Sequence, residues 1–126
     1  AIGSTLMTQC KLSQSLLEDM SMVDCNIRTL PLDPNIKLVK TLPEKLDTVI
    51  PESVYPYMKV VRTLLQLVNC TRPNLAQAVG LLCRFNSAPN PSHVAAAQGV
   101  LRYLKGTTHL GVSYSATPTP LHGYCD

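Results

Sequence analysis

Val60-Val61-Arg62-Thr63-Leu64-Leu65-Gln66-Leu67-Val68 is the stretch that decides the fold. Val60, Val61, Leu64, Leu67 and Val68 recur three and four residues apart, the period of one face of an α-helix, so a helix is expected over residues 56–69. The period continues downstream. After Cys70-Thr71-Arg72, Pro73 suits a first helical turn, where its missing N–H costs nothing. Leu75, Ala78, Val79, Leu82 and Phe85 then form the stripe of a second helix ending near Asn86. Pro89-Asn90-Pro91 is a break, and Ser92 is the expected N-cap of a third helix. Val94, Ala97, Val100, Leu101 and Leu104 carry that helix to Lys105-Gly106, a cation followed by a glycine, which is good C-terminal chemistry. Gly99 inside it costs about 1 kcal/mol relative to alanine.

Upstream the order is looser. Prolines 31, 34, 43 and 51 interrupt any sustained period. Residues 30–54 therefore read as an irregular linker, long for a compact domain and so either functional or poorly ordered. Leu12, Leu16, Leu17 and Met20 mark a helix over residues 9–20, with Leu6–Thr8 before it as a short strand or an extended lead-in. Beyond the third helix the period drops to two: Leu110, Val112 and Tyr114 alternate with Gly111 and Ser113. Leu121–Cys125 is expected as the antiparallel partner of that strand. The resulting fold class is mainly α, a truncated α+β arrangement with a three-helix core, an N-terminal helix, a proline-containing linker and a C-terminal β-hairpin. The organisation is residues 1–29 as an N-terminal helical segment, 30–54 as linker, 55–107 as core and 108–126 as hairpin. A strand ending at Asp126 with nothing to cover it suggests a truncated domain, and the absence of an initiator Met suggests sequence upstream.

Composition narrows the class. The chain has 126 residues, one domain's worth, with 45% hydrophobic residues and 15% charged, so it is no acidic disordered tail. No apolar run approaches the roughly 18 residues that span a bilayer, and no secretory signal is visible. The five cysteines include no Cys-x-x-Cys pair, which favours reduced thiols in an intracellular protein, cytoplasmic or nuclear, over a disulfide framework. Charge is uneven. Residues 1–54 hold five Lys/Arg and seven Asp/Glu, a net −2; residues 55–126 hold six Lys/Arg and one acid, a net +5. A basic second half is compatible with a polyanionic partner such as nucleic acid, and equally with an ordinary solvated helix surface.

Few other constellations carry chemistry. His122 and Cys125 have a His-x-x-Cys spacing, but a zinc site needs four ligands and no second pair is near. His93, at the start of the third helix, suits capping or simple surface exposure better than a phosphate contact. Glu18-Asp19 reads as a solvated helix face. There is no glycine-rich phosphate loop and no motif around a nucleophilic serine.

Several local strings agree in order and spacing: Thr71-Arg72-Pro73-Asn74-Leu75-Ala76, Arg84-Phe85-Asn86-Ser87, Val100-Leu101-Arg102-Tyr103-Leu104-Lys105-Gly106-Thr107, Gly111-Val112-Ser113-Tyr114 and Gly123-Tyr124-Cys125-Asp126. Thr8-Gln9, Asp24-Cys25 and Pro31-Leu32-Asp33-Pro34 follow more loosely. Together they resemble the Pol polyprotein of copia-type LTR retrotransposons, in the stretch where reverse transcriptase runs into ribonuclease H. The sequence departs from the family pattern at Arg62, where glycine is usual, and at Gln66, Leu12, Asp19 and Val94, as a degenerate copy would.

The resemblance implies a thumb-like three-helix core that grips a template–primer duplex through its backbone phosphates. Arg62, Arg72, Arg84, Arg102 and Lys105 are the implied nucleic-acid-binding cations, with Arg72, inside the matched motif, foremost. Partners would be an RNA–DNA or DNA duplex, bound weakly, and the rest of the polyprotein, with no membrane. The parent enzyme would use Mg²⁺, while this chain itself is expected to hold no cofactor or metal. The family's polymerase site needs a Tyr-Val-Asp-Asp strand that is absent here. Asp126 matches only the first of about four ribonuclease H carboxylates, a vestige without its partners. No catalysis is expected from the chain in isolation. The alternative is a small helical module of element origin that binds a protein partner through an exposed apolar stripe.

Overall fold

A computed structural model of the chain describes residues 3–125. Among the described residues there are four α-helices: α1 (Cys10–Asp19), α2 (Tyr57–Cys70), α3 (Ala76–Cys83) and α4 (Pro91–Gly106). Two strands, β1 (Ser4–Thr8) and β2 (Gly111–Ser115), form one small antiparallel sheet, and 3₁₀ turns occupy Pro43–Thr48 and Pro73–Leu75. The fold is mainly α, as the periodicity predicts.

The apolar stripes bury what their spacing says they should. Val60, Val61, Leu64 and Leu67 of α2 meet Val79 and Leu82 of α3 and Val100, Leu101 and Leu104 of α4, all without solvent exposure. α1 adds Leu16 and Leu17. Each such side chain contributes about 1.5–3 kcal/mol when fully buried. Tyr57 also lies inside, and its hydroxyl donates to Leu82 O at 2.7 Å, which ties the start of α2 to α3.

Two helix boundaries differ from expectation. The second predicted helix is not continuous from Pro73 to Asn86: a 3₁₀ turn precedes Ala76, and after Cys83 the bonds Phe85 N to Leu82 O and Asn86 N to Cys83 O close tighter turns. The last helix starts at Pro91, and its cap is Asn90 rather than Ser92. Asn90 Oδ1 accepts from Ser92 N at 3.0 Å and His93 N at 3.2 Å, while Asn90 N donates back to His93 Nδ1 at 3.0 Å. Pro91 at the first helical position already carried this signal.

The terminal hairpin is a larger correction. Residues 121–125 form no strand and are exposed throughout. β2 pairs instead with β1, in the register Ser4↔Ser115, Leu6↔Ser113 and Thr8↔Gly111. The reason lies in the helices. α1 lies against α4, so the segment entering α1 runs beside the segment leaving α4, and Cys10 Sγ reaches Thr108 O at 2.9 Å. Gly111 permits the contact, since a Cβ there would stand 1.9 Å from Met7 O.

Residues 30–54 are irregular but anchored. Thr41 Oγ1 donates to Ala88 O at 2.9 Å, Ile50 N donates to Pro89 O at 2.8 Å, and His93 Nε2 lies 2.8 Å from Val39 O. Gly99 also has its explanation here. The Arg28 guanidinium lies over it, and an added Cβ would meet Nη1 at 2.5 Å.

Candidate nucleic-acid interface

The five implied cations do not share one environment. Arg72 follows α2 and precedes the Pro73 turn, where the chain reverses, and is 2% exposed. Its Nη1 donates to Thr107 O at 2.8 Å, its Nη2 to Thr107 Oγ1 at 2.7 Å and its Nε to Asn74 Oδ1 at 3.3 Å. The Tyr103 ring lies 5.9 Å from the guanidinium carbon. Burial pushes the Arg72 pKa down, and Tyr103 works the other way. The guanidinium thus joins the α2–α3 junction to the end of α4 and turns its fork inward, away from any phosphate outside.

Lys105 is also engaged, its ammonium donating to Cys25 O. Arg62, Arg84 and Arg102 are exposed. Arg102 lines a cleft of about 260 Å³ on α4 together with Arg28, Gln98 and Asp33. Here Arg28 N donates to Arg102 O at 3.5 Å, so the two arginines are held together through the backbone. Arg62 and Lys59, one helical turn apart on α2, line a second cleft of about 620 Å³ with Asn86, Ile50, Met58 and Pro89. The Glu52 carboxylate sits at the same cleft and accepts from Met58 N and Lys59 N at 3.1 and 3.2 Å, satisfying two donors at the start of α2. Lys59 additionally pairs with Asp19 at 3.1 Å, both side chains about half exposed, so the pair adds only about 0.2–1 kcal/mol.

The family resemblance implies neither Arg28 nor Lys59. Lys59 was legible, being three residues from Arg62 on a predicted helix. Arg28 was not, because no pattern in the linker region announces that it folds back on α4.

His93 is fully buried rather than exposed, with its ring stacked on Phe85 at 3.8 Å between centroids. Burial lowers its pKa from the ordinary value, and the contact to Val39 O works against that. Its ring completes the Asn90 cap. His122 and Cys125 are both exposed, and among the described residues no three His, Cys, Asp or Glu side chains converge to hold a metal. Asp126 lies outside the described residues. No helix among those residues is long and apolar enough to cross a membrane.

No family model and no solved structure matches the chain. Curated relatives do. The retrovirus-related Pol polyprotein from transposon TNT 1-94 of Nicotiana tabacum is 32% identical over 121 residues, 95% of this chain and 9% of its own length. A putative transposon Ty5-1 protein of Saccharomyces cerevisiae is 37% identical over 76 residues, 60% of this chain and 25% of its own length. A protein named secreted RxLR effector protein 161, of Plasmopara viticola, is 43% identical over 72 residues, 56% of this chain and 51% of its own length. The chain spans about half or less of each of these relatives.

Proposed function

The chain is a homologue of the retrovirus-related Pol polyproteins of transposons, and from that premise we propose that it serves as their template–primer grip, where reverse transcriptase runs into ribonuclease H. It would hold an RNA–DNA duplex by its backbone and leave the chemistry to carboxylates elsewhere in the polyprotein. The observation that carries this reading is the Arg28–Arg102 cleft. Two guanidinium groups line one outward face of α4 with no carboxylate within ion-pair distance among the described residues. A guanidinium fork matches phosphate oxygens bidentately, and α4 is a stiff support for it. Arg62 supplies a further exposed cation on α2, and Arg84 one just past the end of α3.

In this reading Arg72 positions and does not bind. It fixes the turn between α2 and α3 against Thr107, so the spacing of the helices that present the cations depends on it. The test is titration of a labelled RNA–DNA hybrid at several salt concentrations. Each phosphate neutralised lowers the slope of log K against log salt by about 0.9, so two to four contacts give a slope of roughly −2 to −4. Arg28→Gln with Arg102→Gln should flatten that slope by about 2, whatever the sequence of the hybrid. Affinity independent of salt, or unchanged in the double variant, would remove the proposal. Primer extension and hybrid cleavage with Mg²⁺ or Mn²⁺ should give no turnover from this chain alone.

A further inference from the structure

Residues 116–125, beyond β2, are the stretch that the fold engages least. All of them are exposed, Leu121 and Tyr124 over their whole surface. Ala116 N donates to Gly3 O and Thr117 N donates to Ser115 Oγ at 3.2 Å. Among the described residues no hydrogen bond reaches 118–125. Thr117-Pro118 and Thr119-Pro120 lie here, and nowhere else in the chain does a serine or threonine precede a proline. A proline holds the residue before it extended and brings no N–H of its own. An extended backbone with a free hydroxyl is what a protein kinase draws into its cleft. A kinase pocket that offers no acceptor to the following residue selects proline, because any other residue would bury an unpaired N–H there. Ser87 is the contrast. It is exposed and has Arg84 three residues ahead. However, Ala88 N donates to Phe85 O at 3.3 Å, and Thr41 Oγ1 and Ile50 N donate to Ala88 O and Pro89 O. Those bonds would have to break before that backbone could straighten.

We propose that Thr117 and Thr119 are phosphoacceptor sites for a proline-directed protein kinase. The threonine Oγ1 attacks the γ-phosphorus of ATP and the bond from that phosphorus to the bridging oxygen breaks. ADP leaves, and the hydroxyl proton passes to the kinase's catalytic carboxylate. Each phosphate carries a charge of about −1.5 to −2. It would arrive in a stretch, residues 55–125, that contains no Asp or Glu, and two phosphates would offset most of the +5 of residues 55–126. Hybrid binding would weaken accordingly. That consequence rests on the duplex grip proposed above; the acceptor sites do not.

The experiment incubates the full chain with a purified kinase of the cyclin-dependent class and MgATP. Intact mass should show one or two added phosphates, and fragmentation should place them on Thr117 and Thr119. A synthetic peptide of residues 113–124 should be modified at the same rate as the folded chain, because no folded structure has to open first. Thr117→Ala with Thr119→Ala should take up no phosphate and keep the thermal midpoint of the unaltered chain. No incorporation, incorporation at other residues, or a folded chain much slower than the peptide overturns the acceptor sites. Titration of the labelled hybrid separates the two readings. The phosphorylated chain should bind it more weakly than the unmodified chain, most of all at low salt. Equal affinity with both phosphates in place overturns the charge coupling alone, and no hybrid binding by the unmodified chain overturns the grip alone.

Discussion

Arg72 shows how far a charge in a sequence can be from a ligand. By type and motif it reads as a phosphate contact, but its three observed hydrogen bonds all run to the protein's own atoms. Sequence reports the charge and not the burial. Arg72→Gln should cost about 2–4 kcal/mol of stability, because it strips donors from Thr107 O and Thr107 Oγ1 in a buried site. Arg72→Lys should recover little of this, since an ammonium has no fork. Chemical denaturation of both variants measures it. His93 gives a second prediction. Its folded pKa lies below the ordinary value, so above about pH 6.5 neither state carries the proton and the stabilisation is complete. As pH falls through that value the unfolded chain takes up the proton first, and stability drops until the folded ring protonates too. His93→Gln should flatten stability between pH 7 and the lower folded pKa, read as thermal midpoint against pH. At the alkaline end the Tyr55 phenol is pushed up to about 12 by burial. Stability should thus fall as pH rises above the unfolded value of about 10.

Among elements, legibility followed burial. α2 and α4 were readable because their stripes face a core that leaves little choice of register. The sequence puts the cap of α4 two residues late because Ser92 and Asn90 are equally good capping types, and only the His93 ring decides between them. The pairing of β1 with β2 was not readable. The partners Thr8 and Gly111 are far apart in sequence, and every β1 side chain is exposed, so no burial pattern selects a partner. Leu110–Tyr114 beside Leu121–Cys125 looked simpler because it was local. Gly111→Ala tests the ladder directly: the clash with Met7 O should open the sheet and speed exchange of β1 and β2 amides. The amides of α2 and α4 should stay slow, because the helices bury the core independently. The candidate cations divided in the same way. The resemblance implies Arg62 and Arg102, and both fall within helices that the period predicts, whereas Arg28 reaches the α4 cleft through a backbone bond to Arg102 that no local pattern encodes.

In the whole molecule, the linker is a strap rather than a free segment. Its bonds at Val39, Thr41 and Ile50 all land on residues 88–93, the approach to α4. Hydrogen exchange should therefore show the Ile50 amide protected, while neighbouring linker amides without such bonds exchange fast. The antiparallel ladder has a mechanical consequence. Ser4 pairs with Ser115 at its open end, and Thr8 with Gly111 at the end nearest the helices. Tension applied through the sequence on either side of the ladder pulls Ser4 and Ser115 apart, loading the backbone bonds singly and in succession, as a zipper opens, instead of shearing them all at once. The ladder would yield at low force as a sacrificial clasp, and the helices would feel no load until it had opened as far as Thr8 and Gly111.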